Sequence, residues 1–411
     1  MTTLTAEHFK RLDAEDPLAY CRELFELPEN TIYADGNSLG AMPKDAFACA
    51  EHVVKEEWGN QLIRSWVSSD WINASTRVGD KIAPIIGASD GEVLVCDSTS
   101  VNLFKLAAAA LELNSGRCKI ITEIGNFPTD LYILQGLEKF SKGKIELVVL
   151  AKDDILDAID EDTALVVLTH VHYKTGSRFD MEAVTAKTHQ KGALMLWDLS
   201  HSVGAMNLSL NDCEVDFAVG CGYKYLNGGP GAPAFLFVAK RHQDNVQSPL
   251  SGWLGHSSPF AFDDDYVPAN GVKRMLCGTP SVVGCSLLEV GVDIMTSVDM
   301  KLIRKKSIQL GDLFIQLLEQ RCPEFTLVTP KEASLRGSHI SITHEEGYAI
   351  MQALIAQNII GDFRAPNVLR FGITPLYMRY LDIWDLVQAL VDVMTFEKWN
   401  NEAFKKVQAV T

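Results

Sequence analysis

The chain of 411 residues is long enough for two or three packed units rather than one small domain. Its hydrophobic content of 47% and charged content of 22% are ordinary for a soluble globular protein. With 37 basic and 53 acidic side chains, the formal net charge is −16. This charge argues against a nucleic-acid partner, because proteins that bind nucleic acids present basic surfaces.

The sequence contains no recognisable targeting signal. Residues 1–8 have neither the basic nor the apolar region of a signal peptide, and no apolar stretch reaches the length of a membrane span. The nine cysteines are scattered without a CxxC pair, which is typical of reduced, mostly buried thiols. We therefore expect a cytoplasmic protein without a membrane partner.

Seven short apolar runs predict the strands of a single sheet. Each run is continuous rather than alternating, which favours strands that are buried on both faces. Helical patterns separate the runs, and this order predicts an α/β fold with right-handed crossovers between mostly parallel strands. The predicted strands span residues 92–96, 118–122, 145–150, 164–169, 193–197, 217–220 and 234–238.

The pattern changes after residue 295 and indicates a smaller α+β domain. Its predicted elements are a long helix at 286–321, strands at 325–328, 338–342 and 368–373, a helix at 345–357, and a final helix at 381–408. We therefore predict three parts of the chain. They are an N-terminal segment, 1–55, that packs with the small domain, a large domain, 56–295, and the small C-terminal domain, 296–411.

A lysine and an acid follow two of the predicted strands. Asp198 ends the run at 193–197, and Lys224 follows the run at 217–220 and precedes a glycine-rich turn. Considered separately, they could be a helix cap and a surface lysine. Together they suit a pyridoxal phosphate (PLP) enzyme, in which a lysine forms a Schiff base and an acid keeps the pyridine nitrogen protonated. His201, close to Asp198, adds a polar side chain to this site.

Two further features suit the same cofactor. Thr99 and Ser100 open a predicted helix that runs to about Leu113. Such hydroxyl residues are ordinary helix caps, but free amides and the helix dipole also favour a phosphate there. Phe127 lies in the loop after the strand at 118–122. It is either a core residue or an aromatic ring that stacks on the pyridine.

His170 and His172 form an H-x-H pair at a strand end and indicate a different chemistry. On a strand the two side chains share one face, as in metal-dependent hydrolases. Together with Asp198 and His201 they leave a zinc hydrolase as an alternative. That interpretation gives no role to the hydroxyl residues at the predicted helix start.

Two segments stay open on the residues alone. Arg370, in the strand-like run at 368–373, is either a surface charge or a bidentate clamp for a carboxylate. The aromatic-rich stretch at 58–71 contains Arg64 and Trp66. It is either an amphipathic helix packed on the core or part of a site.

Taken together, these motifs resemble the kynureninase family, a branch of the aspartate-aminotransferase-like (fold type I) PLP enzymes. The resemblance covers nearly the whole chain and is strongest to the bacterial members. Its most specific segments are Asn-Phe-Pro-Thr-Asp at 126–130 and Gly-Trp-Leu-Gly-His at 252–256. Further matching segments lie at 35–40, 57–66, 197–202, 223–229 and 374–377.

The resemblance implies the cofactor-binding positions. Lys224 would carry PLP, Asp198 would pair with the pyridine nitrogen, and Phe127 would stack on the ring. The other cofactor contacts would be Thr99, Ser100, Pro128, Thr129, Asp130, Thr169, His201 and Tyr223, with Thr99, Ser100 and Tyr223 at the phosphate. Trp253 and Thr279 would also help to bind the phosphate, from the second subunit of a homodimer whose active site lies at the subunit interface.

The resemblance also implies a substrate and a reaction. Arg370 would clamp the substrate carboxylate, and Trp66, Asn37 and Ser38 would border the substrate pocket. The implied activity is hydrolysis of L-kynurenine to anthranilate and L-alanine, with 3-hydroxy-L-kynurenine as a second candidate substrate. Lys224 and Asp198 would be catalytic, with Tyr223 as the acid–base partner. The family acts in tryptophan catabolism and in NAD biosynthesis.

One position departs from the family pattern, and two rivals remain. His172 stands where a small amide or another polar residue is expected, so its role is open. A cysteine desulfurase and an aminotransferase share the fold. A desulfurase needs a mobile catalytic cysteine in its C-terminal region, whereas Cys322 precedes Pro323 at a predicted helix end, without an obvious flexible loop.

Overall fold

The computed structural model describes residues 4–406 of the chain. Residues 1–3, part of the segment from which we predicted the lack of a signal peptide, lie outside the described residues. So do residues 407–411, which include the end of the predicted final helix. None of the helices within residues 4–406 combines the length and the apolar character needed to cross a bilayer.

Short elements precede the central sheet. They are α1 (Ala6–Ala14), β1 (Phe25–Glu26), β2 (Ile32–Tyr33), β3 (Met42–Pro43), α2 (Asp45–His52), a π-helical segment (Val53–Gln61), α3 (Ser65–Ser68) and α4 (Ala74–Ile82). Strands β1 and β3 pair with each other. None of these short strands joins the central sheet.

The seven predicted apolar runs all form strands of one sheet. They are β4 (Val93–Val95), β5 (Lys119–Glu123), β6 (Glu146–Leu150), β7 (Thr163–Thr169), β8 (Leu194–Asp198), β9 (Phe217–Gly220) and β10 (Phe235–Val238). Their order across the sheet is β4-β10-β9-β8-β7-β5-β6. Strand β10 is antiparallel to both of its neighbours, and the other strands run parallel. The prediction of a mostly parallel seven-stranded sheet is confirmed.

Helices cover both faces of this sheet. They are α5 (Thr99–Leu113), α6 (Pro128–Phe140), α7 (Ile155–Ala158), α8 (Met181–Gln190), α9 (Lys240–Gln243) and α10 (Val282–Thr296). Alternate residues of a strand enter two separate cores. In β7, for example, Val166 and Leu168 belong to one core, and Leu165 and Val167 to the other. This two-sided burial explains why the runs are continuously apolar; the edge strand β6 is the exception, since none of its residues is fully buried.

The C-terminal part forms a smaller α+β unit. Its elements are α11 (Met300–Arg321), β11 (Thr326–Leu327), β12 (His339–Thr343), α12 (Gly347–Ile355), β13 (Ile359–Ile360), β14 (Asp362–Arg364), β15 (Val368–Gly372) and α13 (Tyr380–Thr395). Four of its strands form an antiparallel sheet in the order β11-β12-β15-β14. The N-terminal segment lies against this unit: β2 pairs with β13, and Asp13 accepts a hydrogen bond from the backbone N–H of Tyr380 at 2.6 Å.

Two helix predictions are wrong in their bounds. The single helix predicted at 286–321 is two helices, because α10 ends at Thr296 and α11 begins at Met300. Asp299 caps the second helix by accepting a hydrogen bond from the N–H of Lys301 at 2.8 Å. The final helix ends at Thr395 instead of continuing to 408.

The aromatic-rich stretch at 58–71 is not an amphipathic helix packed on the core. It is divided between the π-helical segment, a 3₁₀ turn and the short helix α3. Its apolar side chains face outward: Trp58 is 62% exposed, Ile63 75% and Val67 85%. The chain by itself therefore leaves an apolar surface uncovered here.

Candidate active site

The carboxyl edge of the central sheet carries several of the predicted site residues. Thr169 and Asp198 are the last residues of β7 and β8, which are adjacent parallel strands. Lys224 follows β9 after a short turn. Because the carboxyl ends of parallel strands share one edge, the three side chains meet where α/β proteins bind their ligands.

These residues line one pocket together with the start of α5 and the loop before α6. The lining consists of Ser98, Thr99, Ser100, Phe127, Thr129, Asp130, Thr169, Tyr173, Asp198, Ser200, His201, Tyr223 and Lys224. Of the predicted cofactor contacts, Pro128, Trp253 and Thr279 are absent from this lining. Pro128 is the first residue of α6, between two residues that do line the pocket.

Two buried carboxyl groups interact in this pocket. The Thr169 hydroxyl lies 3.2 Å from Asp130 Oδ2, and the N–H of Ser200 donates to Asp198 Oδ1 at 2.7 Å. Burial, and then the charge of Asp198, raises the pKa of Asp130 well above its usual range. This direction favours the protonated form of the Asp130 carboxyl group. Its Oδ1 is buried and has no hydrogen-bond partner within residues 4–406.

Lys224 lies against a neutral histidine. Its Nζ is 2.8 Å from His201 Nε2 and 5.8 Å from the centre of the Phe127 ring. Burial, and then the charge of Lys224, lowers the pKa of His201 well below its usual range. The imidazole therefore stays neutral, and its Nε2 accepts a hydrogen bond from the lysine. The lysine amine is held near the aromatic wall of the pocket.

The first turn of α5 offers a site for an anion. Ser98 caps this helix, since its Oγ accepts a hydrogen bond from the N–H of Val101 at 3.4 Å. Thr99 and Ser100 line the pocket at this helix start, where the first backbone amides of a helix favour an anion. The nearby acid Asp97 does not oppose an anion, because the buried amine of Lys105 neutralises it at 2.7 Å.

Phe127 presents a partly exposed ring to the pocket. The side chain is 40% exposed, and its ring meets the Tyr173 ring edge to face, with centres 5.2 Å apart. The backbone N–H of Phe127 donates to the side chain of Asn126 at 2.7 Å, and Asn126 also accepts a hydrogen bond from Thr169. The loop thus holds an aromatic face at the pocket wall.

Arg370 lies beside the pocket in a network of hydrogen bonds. It is on β15, directly opposite Asp362 on β14. Its Nε donates to Asp362 Oδ1 at 2.6 Å, and its Nη2 donates to Ser38 Oγ at 3.1 Å. Its Nη1 donates to the backbone carbonyl of Tyr173. The guanidinium is therefore fixed in place before any ligand arrives.

Asp362 contacts both Arg370 and a second arginine, Arg364. It forms an ion pair with Arg364 at 2.8 Å and accepts a hydrogen bond from Ser38 at 2.7 Å. Burial, and then the charge of Asp362, raises the pKa of the neighbouring Asp35 to about 7. These four charged residues, Asp35, Asp362, Arg364 and Arg370, are called the charge quartet below.

Three of the four predicted substrate-binding residues lie together, and the fourth does not. Ser38 and Arg370 are in contact, and Asn37 is fully buried beside them against Gly372. The Asn37 amide has no hydrogen-bond partner in the described part of the chain. Trp66 lies elsewhere, where its ring packs against Trp253 at 6.4 Å.

Trp253 and Thr279 lie outside the chain's own pocket. Trp253 is 37% exposed in a 3₁₀ turn, and Thr279 lines a different cavity next to Asp97. The resemblance to the family predicts that both act on a second subunit. Their place outside this pocket is compatible with that prediction.

The two histidines of the H-x-H pair have separate contacts. The His170 ring packs against Trp197, with centres 5.7 Å apart. The His172 ring instead lies within hydrogen-bond distance of the Gly125 carbonyl, 2.9 Å from its Nε2. Among residues 4–406 no group of three or more His, Cys, Asp or Glu side chains is arranged to hold a metal ion. The zinc-hydrolase interpretation therefore has no ligand set to rest on.

The pocket fits PLP by the chemistry of its groups. Such a cofactor needs an amine for covalent attachment, an acid for the pyridine nitrogen, an aromatic face and an anion site. The pocket provides Lys224, the Asp130–Asp198 pair, Phe127 and the start of α5. The buried Asp130 Oδ1 without a partner indicates polar capacity that a ligand would satisfy.

The sequence reasoning missed three residues of this region. Tyr173 lines the pocket and holds Arg370, and it follows directly after the H-x-H pair. Asp362 was not singled out, although an acid beside an apolar run is a recognisable signal for a buried ion pair. Ser200 binds Asp198 through its backbone, which no side-chain pattern could show.

Solved structures share this fold at low sequence identity. A cysteine desulfurase from Thermococcus onnurineus NA1 superposes with a TM-score of 0.79 at 18% identity, covering 96% of this chain and 100% of that one. A C-DES mutant with glycine covalently linked to its PLP cofactor superposes with a TM-score of 0.76 at 16% identity, covering 95% and 100%. The fold and the pocket define a fold type I PLP-dependent enzyme.

Sequence comparison narrows this class. The family model described as "Kynureninase C-terminal domain" matches residues 303–390. The kynureninase of Pseudomonas fluorescens is 50% identical over 407 residues, 97% of this chain and 98% of that protein. The kynureninase of Burkholderia pseudomallei (strain K96243) is 49% identical over 414 residues, 99% of this chain and 100% of that protein. The chain belongs to the kynureninase family.

The family assignment also decides against the desulfurase and aminotransferase alternatives. The likeness to cysteine desulfurases concerns the fold alone. Cys322, the cysteine considered for that chemistry, is 1% exposed, and burial raises its pKa to about 12. A thiol in that state is a poor nucleophile.

Proposed function

We propose that this protein is a PLP-dependent hydrolase that cleaves the Cβ–Cγ bond of L-kynurenine and yields anthranilate and L-alanine. Full-length identity of about 50% to kynureninases is the observation that carries the proposal. The pocket at the carboxyl edge of the sheet supports it, because it combines an attachment lysine, an acid pair and an anion site. When bound there, PLP supplies an electron sink for charge that develops on the amino acid.

Lys224 is the residue that we assign to cofactor attachment and proton transfer. The neutral His201 accepts a hydrogen bond from its amine, and so fixes where the amine lies. Lys224 would hold the cofactor through its amine, and the free Nζ would take the proton from the substrate Cα. A lysine amine in a half-buried pocket is suited to this exchange.

The acid pair keeps the pyridine nitrogen protonated. Asp198 is the partner that we assign to that nitrogen, and Asp130 stands beside it with a proton on its own carboxyl group. The carboxyl group of Asp198 would be the counter-charge for a protonated pyridine nitrogen, in a site shielded from water. Thr169 and Ser200 orient the two carboxyl groups.

Tyr223 and the start of α5 hold the phosphate in this proposal. Thr99 and Ser100 contribute hydroxyls and backbone amides. Burial raises the pKa of Tyr223 above its usual range, so the phenol keeps its proton at neutral pH. A protonated phenol at the pocket wall can deliver a proton to the departing fragment from its Oη, and this is the acid–base role that we assign to Tyr223.

Arg370 recognises the substrate carboxylate. Its guanidinium is oriented by Asp362, Ser38 and the Tyr173 carbonyl. A planar guanidinium fixed in this way can offer its remaining N–H to a carboxylate in one orientation. Asn37, buried next to it with its amide unpaired in the described residues, is suited to bind a polar group of the substrate.

We further propose that the enzyme acts as a homodimer. The exposed apolar residues Trp58, Ile63 and Val67 support this, because so large an apolar surface is unusual on a monomer. Trp253 and Thr279 would complete the phosphate site from the partner, as the family resemblance implies. A cytoplasmic location is also proposed, since all nine cysteines are free thiols and five of them are buried.

The dimer can be tested with one charged substitution. Val67→Glu places a charge on the apolar surface and is expected to yield monomers with weakened PLP binding. Phe140→Glu is the matched control, because Phe140 is 79% exposed at the end of α6, away from this surface. Analytical ultracentrifugation would measure the mass. A wild-type monomer that binds PLP fully would contradict the proposal.

The activity is tested by mixing the PLP-supplemented protein with L-kynurenine and following the fluorescence of anthranilate. Rapid product formation is expected, and 3-hydroxy-L-kynurenine should be compared under the same conditions. A protein that holds PLP visibly but forms no anthranilate would refute the proposed reaction and leave the fold and cofactor standing.

A further inference from the structure

The turn at residues 171–177 connects the cofactor side of the site to the substrate side. It follows β7, whose last residue is Thr169, and it reverses direction through a hydrogen bond from the N–H of Gly176 to the carbonyl of His172 at 2.9 Å. It has no cofactor or substrate role in the family resemblance. His172, the one position that departs from the family pattern, lies in this turn.

The His172 ring makes three hydrogen bonds to the backbone. Its Nδ1 accepts from the N–H of Lys174 at 3.2 Å and from the N–H of Thr175 at 3.3 Å. The proton must therefore be on Nε2, which donates to the carbonyl of Gly125 at 2.9 Å. Burial lowers the pKa of His172, so the ring remains in this neutral form at neutral pH.

The Gly125 bond joins the turn to the loop that carries Phe127. Gly125 has a left-handed backbone (φ 77°), which places its carbonyl in a conformation that other residues rarely adopt. The same loop then presents Phe127, whose ring meets the Tyr173 ring at 5.2 Å. The loop is thus held to the turn at two points, one polar and one aromatic.

The other side of the turn contacts the C-terminal domain. The Tyr173 carbonyl accepts a hydrogen bond from Arg370. Lys174 Nζ donates to the carbonyl of Ala365 at 3.0 Å, and Thr329 donates to the carbonyl of Thr175 at 2.8 Å. A shift of the turn would therefore displace one of the acceptors that orient the guanidinium that we assign to the substrate carboxylate.

We propose that His172 is a positioning residue that sets the Phe127 loop and Arg370 relative to each other. One ring bonds the loop at the cofactor face and shapes the turn whose carbonyl holds the arginine. The part concerning Arg370 and the substrate rests on the proposed function. The part concerning Phe127 and the cofactor does not.

The substitution His172→Asn separates the two roles of the ring. The asparagine Oδ1 can still accept the two turn amides, as in an Asx turn, but the side chain is too short to reach Gly125. Loss of one hydrogen bond predicts a rise of about 3- to 10-fold in the Kd for PLP and in the KM for L-kynurenine. The value of kcat should change less, because no group that touches the reacting atoms is removed.

PLP affinity would be read by titrating the apo-protein with PLP and following the cofactor absorbance, which needs no turnover. The matched control is His189→Asn, which removes the hydrogen bond of 2.7 Å between the His189 ring and Asp216. Asp216 directly precedes β9 and so lies at the amino end of the strands, away from the carboxyl edge that carries the pocket. The control should unfold at a lower temperature and keep both the Kd for PLP and the KM.

Three results decide the matter. Values of Kd and KM within about twofold of wild type in His172→Asn would overturn the proposal, because a bond of ordinary strength would then have no effect. An equal change in His189→Asn would also overturn it, by showing general destabilisation. A raised Kd for PLP in His172→Asn, with wild-type protein that does not turn over L-kynurenine, would support the Phe127 part and refute the proposed function instead.

Discussion

Replacing Asp362 by asparagine tests how the charge quartet is balanced. The substitution keeps the size of the side chain and removes one negative charge from beside two guanidinium groups. Asp362 is 1% exposed and Arg370 is 2% exposed, so neither charge can be compensated by water. One carboxylate oxygen becomes an N–H₂ donor that faces other donors, from Arg364 at 2.8 Å and Ser38 at 2.7 Å.

The loss of unfolding free energy caused by Asp362→Asn depends on Asp35. Breaking a buried ion pair by removing one partner costs about 3–5 kcal/mol of unfolding free energy. Here Asp35 can replace part of the lost charge, because burial and then the charge of Asp362 raise its pKa to about 7, and the second cause disappears in the variant. Without Asp362, the pKa of Asp35 is expected to fall, so that more of Asp35 ionises at neutral pH. The single substitution should therefore cost less than about 3 kcal/mol, and Asp35→Asn with Asp362→Asn should cost the full amount.

The assay is a double-mutant cycle on urea unfolding of the apo-protein, at several pH values. Asp35→Asn alone should have a small effect, so the cycle should show a coupling of at least about 1 kcal/mol. Because the pKa of Asp35 is raised in the folded state, protonation of Asp35 stabilises the wild-type fold. This stabilisation is fully present below the pKa of Asp35 in the unfolded chain and is lost as the pH rises through about 7. The unfolding free energy of Asp362→Asn is not expected to fall in this way as the pH rises.

The gap in stability between wild type and Asp362→Asn should therefore narrow as the pH rises from 6 to 8. Additive effects of the two substitutions, combined with a gap that does not depend on pH, would refute the reasoning. In that case Asp35 would not act as the reserve charge of the quartet.

Three further outcomes are expected. Lys224→Ala should abolish both turnover and the absorbance of covalently bound PLP, and turnover retained without added amine would contradict the attachment role. Asp198→Asn should lower kcat by orders of magnitude in steady-state assays. Asp130→Asn should lower it less, because an amide resembles the protonated acid that the raised pKa of Asp130 favours. Equal losses of kcat in the two variants would argue against these different roles for Asp198 and Asp130. For Asp216, burial raises the pKa, but hydrogen bonds from two histidines outweigh it and the net pKa is lowered. Its stabilisation is present above the unfolded pKa and lost as the pH falls through the folded one, so Asp216→Asn should lower the melting temperature at neutral pH and leave the PLP affinity unchanged.

Much of the fold was readable in the sequence for a simple reason. A strand that is buried on both faces needs an apolar residue at every position, so β7 and β8 stand out as continuous runs that end in Thr169 and Asp198. The break between α10 and α11 was missed although its signal is present. Asp299 is a capping residue, but apolar residues on both sides concealed it.

The site was readable only where its residues follow strands. Because Asp198 ends one predicted strand and Lys224 follows another, their positions in the chain predict that both lie at the carboxyl edge of the sheet. The contact between Tyr173 and Arg370 joins residues 197 positions apart through a backbone carbonyl, which every residue possesses. No side-chain pattern can predict such a partner. The proposed role of Trp253 and Thr279 likewise depends on a second chain.

The pairing of Arg370 with Asp362 has a consequence for the response of the enzyme to salt. Two guanidinium groups, the Asp362 carboxylate and Asp35, whose pKa is raised to about 7, give the charge quartet at most about one net positive charge, within a protein of net charge −16, and a zwitterionic amino acid carries no net charge. The site therefore exerts little long-range attraction on a zwitterionic amino acid, and capture depends on contact geometry. The rate of substrate association should accordingly vary little with ionic strength, unlike that of an enzyme that draws its ligand in from a distance.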